Sequence, residues 1–276
     1  MRCLLVADLH YDLRKFDWVV DAADHVDVVV LAGDHLDAFS RVARPAQAIV
    51  VQKYLRRIRR RAPLLICSGN HDLDGRNSWG ELTTRWITLA RTYDVLTDGD
   101  SHLIGDTLFT ICPWHDGSGQ RAEVAGLLAR DAARRPRRWV WVHHAPPAGS
   151  PTSWDGRKSF GDASLRSWIR KHQPDLVLSG HVHQSPFCRG GAWADQIGRT
   201  WVFNAGHQSG PLPPHVVVDT DGPGAYWISL TGAQVASLSQ APNRPFAAVT
   251  DLPPWLLAMG RAAAHPPEES SRPAGA

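Results

Sequence analysis

Val26-Asp27-Val28-Val29-Val30-Leu31-Ala32-Gly33-Asp34-His35-Leu36-Asp37 is a short apolar run that breaks at a glycine and ends in carboxylates and a histidine. A β-branched run of this length reads as a strand buried on both faces, and the glycine lets the chain turn sharply where the run stops. The same grammar recurs along the sequence. Asp8-Leu9-His10 follows the run at 3–7, Gly69-Asn70-His71-Asp72 follows 64–67, His143-His144 follows 140–142, and Gly180-His181-Val182-His183 follows 176–178. Every cluster therefore falls at the carboxyl end of a strand, where open α/β sheets collect their ligands.

Outward from these strands, helical patterns occupy 13–23, 46–61, 86–92, 122–133 and 163–172, and another strand-like run lies at 108–112. In the second helix Ile49, Val50, Leu55 and Ile58 share one side. Strand–helix alternation predicts βαβ units and an α/β fold with a partly parallel sheet. After Gly180 the character changes. The β-like pieces 200–204, 215–219 and 225–230 are separated by Gly- and Pro-rich turns, and they are expected to be antiparallel strands completing a second sheet. A short apolar segment, 255–259, is expected to cap the body. Residues 1–262 are expected to form one domain, followed by a disordered tail at 263–276 that lacks core-forming residues.

The 276 residues and 43% hydrophobic composition suit one large α/β domain. A net charge of +3 neither requires nor excludes a phosphate-bearing partner. Cys3, Cys67, Cys112 and Cys188 show no C-x-x-C spacing, which argues against a disulfide scaffold or a thiolate zinc site. The first strand runs at once into a ligand cluster, so no cleavable leader is expected, and no apolar run approaches the length of a membrane span. The expected address is the cytoplasm, with no membrane partner.

The clusters supply a ligand set for two metal ions. On an extended segment Asp8 and His10 point to the same face, and so do His181 and His183. Asp34 can bridge two ions through its carboxylate oxygens, Asn70 offers a neutral carbonyl oxygen, and His143 adds a nitrogen. Mixed N/O ligation without thiolate fits Mn, Fe or Zn better than an iron–sulfur cluster or an all-oxygen calcium site. The absence of a Gly-rich phosphate loop points to hydrolysis and away from nucleotide-driven transfer.

In this order the five clusters resemble the signature of the calcineurin-like metallophosphoesterase superfamily: D-x-H, G-D-x-x-D, G-N-H-D/E, a histidine after a strand, and G-H-x-H. The resemblance spans residues 1–206 and is complete at all five motifs. It implies a four-layer αββα sandwich with two mixed β-sheets. It also implies that Asp8, His10, Asp34 and His183 hold one divalent ion and that Asp34, Asn70, His143 and His181 hold the other. Either His143 or His144 can be the ligand; His143 comes straight off its strand and is taken here, leaving His144 beside the pocket in contact with substrate. His71 would touch the phosphoryl group, as Asn70 would, and protonate the leaving oxygen, with Asp72 orienting it. The expected reaction is phosphoester hydrolysis by metal-activated hydroxide attacking phosphorus in line, with two Mn²⁺ ions, or Fe or Zn in their place.

Specificity is expected from the surrounding loops. Arg76 and Asn77 either touch phosphate or belong to a solvated loop, and Trp114 of Pro113-Trp114-His115 either lines the pocket or braces a sheet edge. His207, in Asn204-Ala205-Gly206-His207, is placed near the pocket as a substrate contact. The runs Arg56-Arg57-Ile58-Arg59-Arg60-Arg61 and Arg134-Arg135-Pro136-Arg137-Arg138 fall near helix C-termini, where cations meet the helix dipole favourably. The expected partner is a nucleotide or other small organophosphate. Two alternatives stand beside it: a nuclease like the DNA-repair exonuclease subunits of the same superfamily, suggested by 33–72, and a non-catalytic metal-binding scaffold.

Overall fold

Along the first strand, β1 (Arg2–Val6), Cys3 and Leu5 enter one apolar cluster while Leu4 and Val6 enter another. Both faces are buried, which is why this run reads as continuously apolar. The computed structural model describes residues 1–222 and 224–261, so the tail expected at 263–276 lies outside the described residues. Fourteen further strands follow in chain order: β2 (Val28–Ala32), β3 (Leu64–Cys67), β4 (Gly75–Arg76), β5 (Leu82–Thr83), β6 (Ser101–Ile104), β7 (Thr107–Ile111), β8 (Arg138–Val142), β9 (Leu176–Ser179), β10 (Ala194–Ile197), β11 (Thr200–Asn204), β12 (His215–Asp219), β13 (Gly224–Ser229), β14 (Gly232–Ser237) and β15 (Ala247–Ala248). The α-helices are α1 (Leu13–Ala22), α2 (Arg44–Arg59), α3 (Ser118–Ala132), α4 (Ala163–His172) and α5 (Pro254–Arg261).

Two mixed sheets organise these elements, in the orders β15-β14-β13-β12-β1-β2-β3 and β10-β11-β9-β8-β7-β6. The inner faces of both sheets share one core, with Leu5, Val30 and Leu65 from the first and Phe109, Val142 and Phe203 from the second. The outer face of the first sheet is covered by Phe16, Val19, Val51 and Leu55 of α1 and α2, together with Leu256 of α5. That of the second is covered by Val124 and Leu128 of α3 and by Leu165 and Ile169 of α4. The result is the expected four-layer αββα sandwich. Asp12 caps α1 by accepting from the Arg14 amide at 3.2 Å, and Asp162 caps α4 by accepting from the Ser164 and Leu165 amides at 2.6 and 3.0 Å.

One expectation is corrected. The late strands do not build the second sheet together. β11 pairs parallel with β9 in the second sheet, whereas β12, β13 and β14 extend the first sheet antiparallel from β1. β12 matches β1 along its whole length, from Arg2 opposite Asp219 to Val6 opposite His215.

Within each sheet the strands that carry polar clusters are parallel neighbours. β1, β2 and β3 end side by side in the first sheet, and β8 and β9 end side by side in the second. All five clusters therefore meet at one edge of the sandwich.

Candidate metal centre

The turns that follow these strands depart from extended geometry. Asp8, His10, Asp34 and His181 have φ of 56°, 45°, 55° and 70°. Non-glycine residues rarely adopt the left-handed region, and where they do they concentrate at functional sites. Asp8 and His10 do meet, but through these turned backbones and not through strand alternation, which ends with β1 at Val6. Gly33, at φ 87°, precedes Asp34; a Cβ there would lie 2.3 Å from His144 Nδ1. At Gly69 a Cβ would lie 2.2 Å from Asp34 Oδ1, so only glycine lets the β3 turn approach this carboxylate.

Asp34 is the hub. Its Oδ2 lies 3.3 Å from His144 Nε2, 3.9 Å from His10 Nε2 and 4.0 Å from His71 Nε2. On one side Asp8, His10 and His183 converge, with His183 Nε2 at 3.4 Å from Asp8 Oδ1 and 3.0 Å from His10 Nε2. On the other side Asp34, His144 and His181 converge. Donor atoms about 3–4 Å apart match the ligand-to-ligand spacing around an ion whose bonds are near 2 Å. Asn70 Oδ1 and His144 Nε2 are buried with no hydrogen-bond partner among the described residues. Buried polar atoms are ordinarily satisfied, so a cation fits this donor set.

His143, expected as a ligand, is not in this group. Its ring turns to the opposite side of the β8 end, toward His115 and Asp162, and His144 takes the place beside Asp34. Consecutive residues leaving a strand face opposite ways, and the His144 Nδ1–H, donating to the Ala32 carbonyl at 2.7 Å, selects which one faces the site.

Asp72 is also corrected. It does not orient the His71 ring. Its Oδ1 accepts from the His35 and Leu36 amides at 3.0 Å each, and its Oδ2 accepts from the Gly69 amide at 2.9 Å. The buried carboxylate thus ties the turn after β2 to the turn after β3. What orients His71 is the Ala38 amide, which donates to Nδ1 at 3.3 Å. With Nδ1 accepting, the neutral ring carries its proton on Nε2, the atom facing Asp34.

Arg76, expected as a substrate contact, donates to the Gly80 carbonyl within its own hairpin, and that commitment takes it out of the Asp34 cluster. His207 does stand beside the site: its ring lies 4.7 Å from that of His183, and its Nδ1–H donates to the Asp8 carbonyl at 2.7 Å. Trp114 lies 5.7 and 5.5 Å from the rings of His144 and His181. Phe39, 88% exposed, lies 5.6 Å from His71 and gave no signal in the sequence. Lys15 is buried in α1 and donates to the Gln208 carbonyl at 2.7 Å; within an amphipathic helix pattern it reads as a surface cation.

Burial works to raise both central carboxyls, but neighbouring rings outweigh it. His183, with His144 behind it, holds Asp8 at about 2, and His144 keeps Asp34 below the usual carboxylate range. Burial works to lower His144, and Asp34, followed by Asp8, overrides it and brings the ring to about 9. His181, with less compensation, is pushed down to about 4 by burial. Both carboxylates are therefore ionised across the neutral range, as cation ligands need to be.

A family model described as calcineurin-like phosphoesterase matches residues 1–185. No curated protein matches the sequence. Among solved structures, TT1561 of Thermus thermophilus is 12% identical, with a TM-score of 0.55 over 86% of this chain and 98% of that one. The purple acid phosphatase PPD1 of yellow lupin (Lupinus luteus) is 14% identical, with a TM-score of 0.51 over 88% of this chain and 52% of that one. A dimetal phosphatase from Danio rerio is 11% identical, with a TM-score of 0.50 over 82% and 95%. At these identities the likeness is one of fold.

Proposed function

The chain belongs to the calcineurin-like phosphoesterase family, metal-dependent hydrolases of phosphoesters, and on that premise we propose that its dinuclear centre is built around Asp34 and acts on a small organophosphate. Asp8, His10 and His183 would hold one ion with Asp34, and Asn70, His144 and His181 would hold the other. The observation that carries this reading is the pair of orphaned buried atoms, Asn70 Oδ1 and His144 Nε2, at the hub of a carboxylate reached from both sides. The mixed nitrogen and oxygen donors suit Mn²⁺, with Fe or Zn as alternatives.

When bound, the two ions supply Lewis acidity that activates water at neutral pH and offsets charge on the phosphoryl oxygens. The chain's own residues do the rest. His71 is held by the Ala38 amide with its Nε2–H toward Asp34, and it donates that proton to the leaving oxygen. An Nε2 that carries a proton has no lone pair for an ion, which separates His71 from the ligands. His207 and Trp114 border the centre and contact the organic part of the substrate.

A cavity of about 310 Å³, lined by Asp155, Phe160, His181 and His183, opens beside the centre and suits a small organic phosphoester. The Arg run at 56–61 closes α2, with Arg56, Arg57 and Arg59 in its last turn, which fits a dipole role better than a nucleic-acid track. A cytoplasmic address belongs to the same reading. Cys3, Cys67 and Cys112 are free and buried, and no described helix is long and apolar enough to cross a membrane.

The test is hydrolysis by metal-stripped protein reloaded with Mn²⁺, run in parallel on a chromogenic monoester, a chromogenic diester, cyclic nucleotides and single-stranded DNA. Turnover of the small esters with DNA left intact supports the proposal. Degradation of DNA with the small esters untouched replaces it with the nuclease reading.

A further inference from the structure

Beyond the Asp34 centre, the described residues hold one more convergence of metal-binding side chains. His115, His143 and Asp162 bring two ring nitrogens and a carboxylate oxygen within 4.8 Å of one another. His115 Nε2 lies 2.9 Å and His143 Nε2 3.8 Å from Asp162 Oδ2. The three residues come from separate places in the chain: the segment after β7, the end of β8, and the N-cap of α4.

His143 is built as a ligand is built. Its Nδ1–H donates to the Ala145 carbonyl at 2.8 Å, which fixes the tautomer and leaves a lone pair on Nε2. His144 donates in the same way to Ala32, so the two consecutive rings leave one strand end on opposite sides. The His143 side chain is 1% exposed, and its Nε2 has no hydrogen-bond partner among the described residues. An orphaned lone pair in an enclosed site is costly unless something positive meets it. Asp162 uses Oδ1 to cap α4, accepting from Ser164 and Leu165, and this leaves Oδ2 for the cluster. The His115 ring rests 5.5 Å from that of Trp168 in α4, which limits its rotation.

We propose that His115, His143 and Asp162 form a third divalent-cation site, of zinc type, separate from the dinuclear centre. Two imidazoles and one carboxylate, none of them thiolate, place the carboxylate oxygen 2.9 and 3.8 Å from the two ring nitrogens, on either side of the ligand spacing of a tetrahedral zinc ion, about 3.3 Å. A fourth position stays open for water or an anion. Asp162, 14% exposed at its side chain, gives an ion a path from solvent. Occupation clamps the end of β8 to the N-terminus of α4 and so braces the strand end from which His144 departs.

The test is metal analysis of the full chain after dialysis against Zn²⁺, repeated with Co²⁺ for its visible absorption. Three ions per wild-type chain are expected. His115→Ala and His143→Ala are each expected to bind two, with third-site affinity down at least about 100-fold and the remaining pair undisturbed. His144→Ala should lose an ion of the dinuclear pair and keep the Co²⁺ band of the third site. His115→Gln, in the segment between β7 and α3, serves as a second variant should His143→Ala fail to fold. Two ions in wild type, unchanged in His115→Ala and His115→Gln, would overturn the proposal and make the cluster a hydrogen-bonded helix cap. So would three ions in wild type with all three kept in those variants.

Discussion

His144 and His143 are neighbours in sequence with different work to do, and the difference lies in which carbonyl each Nδ1–H reaches. Ala32, at the end of β2, turns His144 toward Asp34; Ala145 turns His143 toward Asp162. His144→Ala is expected to remove one of the paired ions and lower turnover about 10³-fold or more, since it forfeits several kcal/mol of transition-state charge stabilisation. Kinetics combined with metal analysis checks this, and retention of the pair with full turnover would contradict it. On the proposed reading, His71 belongs to the same scale but holds no ion. His71→Ala should lower kcat about 10²- to 10⁴-fold with the ion content unchanged, and the deficit should shrink for esters with good leaving groups that need no protonation. Loss of an ion in this variant would mean that His71 is a ligand.

At the scale of the elements, Asp72 shows how two strand ends are locked together. Its carboxylate accepts three amide hydrogens from the turns after β2 and β3, the turns that carry Asp34 and Asn70. Asp72→Asn sets an NH₂ against one of those amides, at a cost of about 1–3 kcal/mol. A lower Tm should come with weaker retention of the dinuclear pair; an unchanged Tm would show that the tie between the turns carries little.

The strands that bear the clusters were legible because they are buried on both faces and therefore continuously apolar. Ser101–Ile104, Ala194–Ile197 and Gly232–Ser237 were not legible: they are short, and they show neither a continuous apolar run nor a clean apolar–polar alternation, so nothing distinguishes them from loop. The identities of the clusters were readable, but their orientation was not. The side of the β8 end that His143 faces is decided by a contact 112 residues away, between His144 and Ala32, and no local pattern records it. The purpose of Asp72 was hidden for the same reason, since two of its partners lie in another turn.

At the scale of the molecule, two sheets share one core and converge at one edge, so the link between them bears on stability. Asp98 lies where the chain passes from β3 in the first sheet to β6 in the second, and its Oδ1 accepts from the Ser68 amide at 2.8 Å. Burial raises its carboxyl from 3.8 to about 6, with the Ser68 hydrogen bonds working against the rise and the charge of Asp72 adding to it. Below about 4 both folded and unfolded states hold the proton. Between about 4 and about 6 the folded state alone holds it, so stability falls as pH rises through that window and is flat above it. The residue as a whole is half-buried, so the loss is set at about 1–2 kcal/mol, less than the full shift implies. Urea unfolding at pH 4.5 and pH 7 should show this slope in the wild type and its absence in Asp98→Asn; equal slopes in both would place the effect elsewhere.

On the proposed reading, phosphoester hydrolysis depends on two ions held on either side of Asp34. Titration of the metal-free protein with Mn²⁺, read as turnover of a chromogenic phosphoester alongside Asp34→Asn, tests it most directly. No turnover is expected without metal, with a rise that saturates only when both ions are bound, and at most residual turnover in Asp34→Asn at saturating metal. Full turnover in the metal-free protein, or in Asp34→Asn, would contradict it.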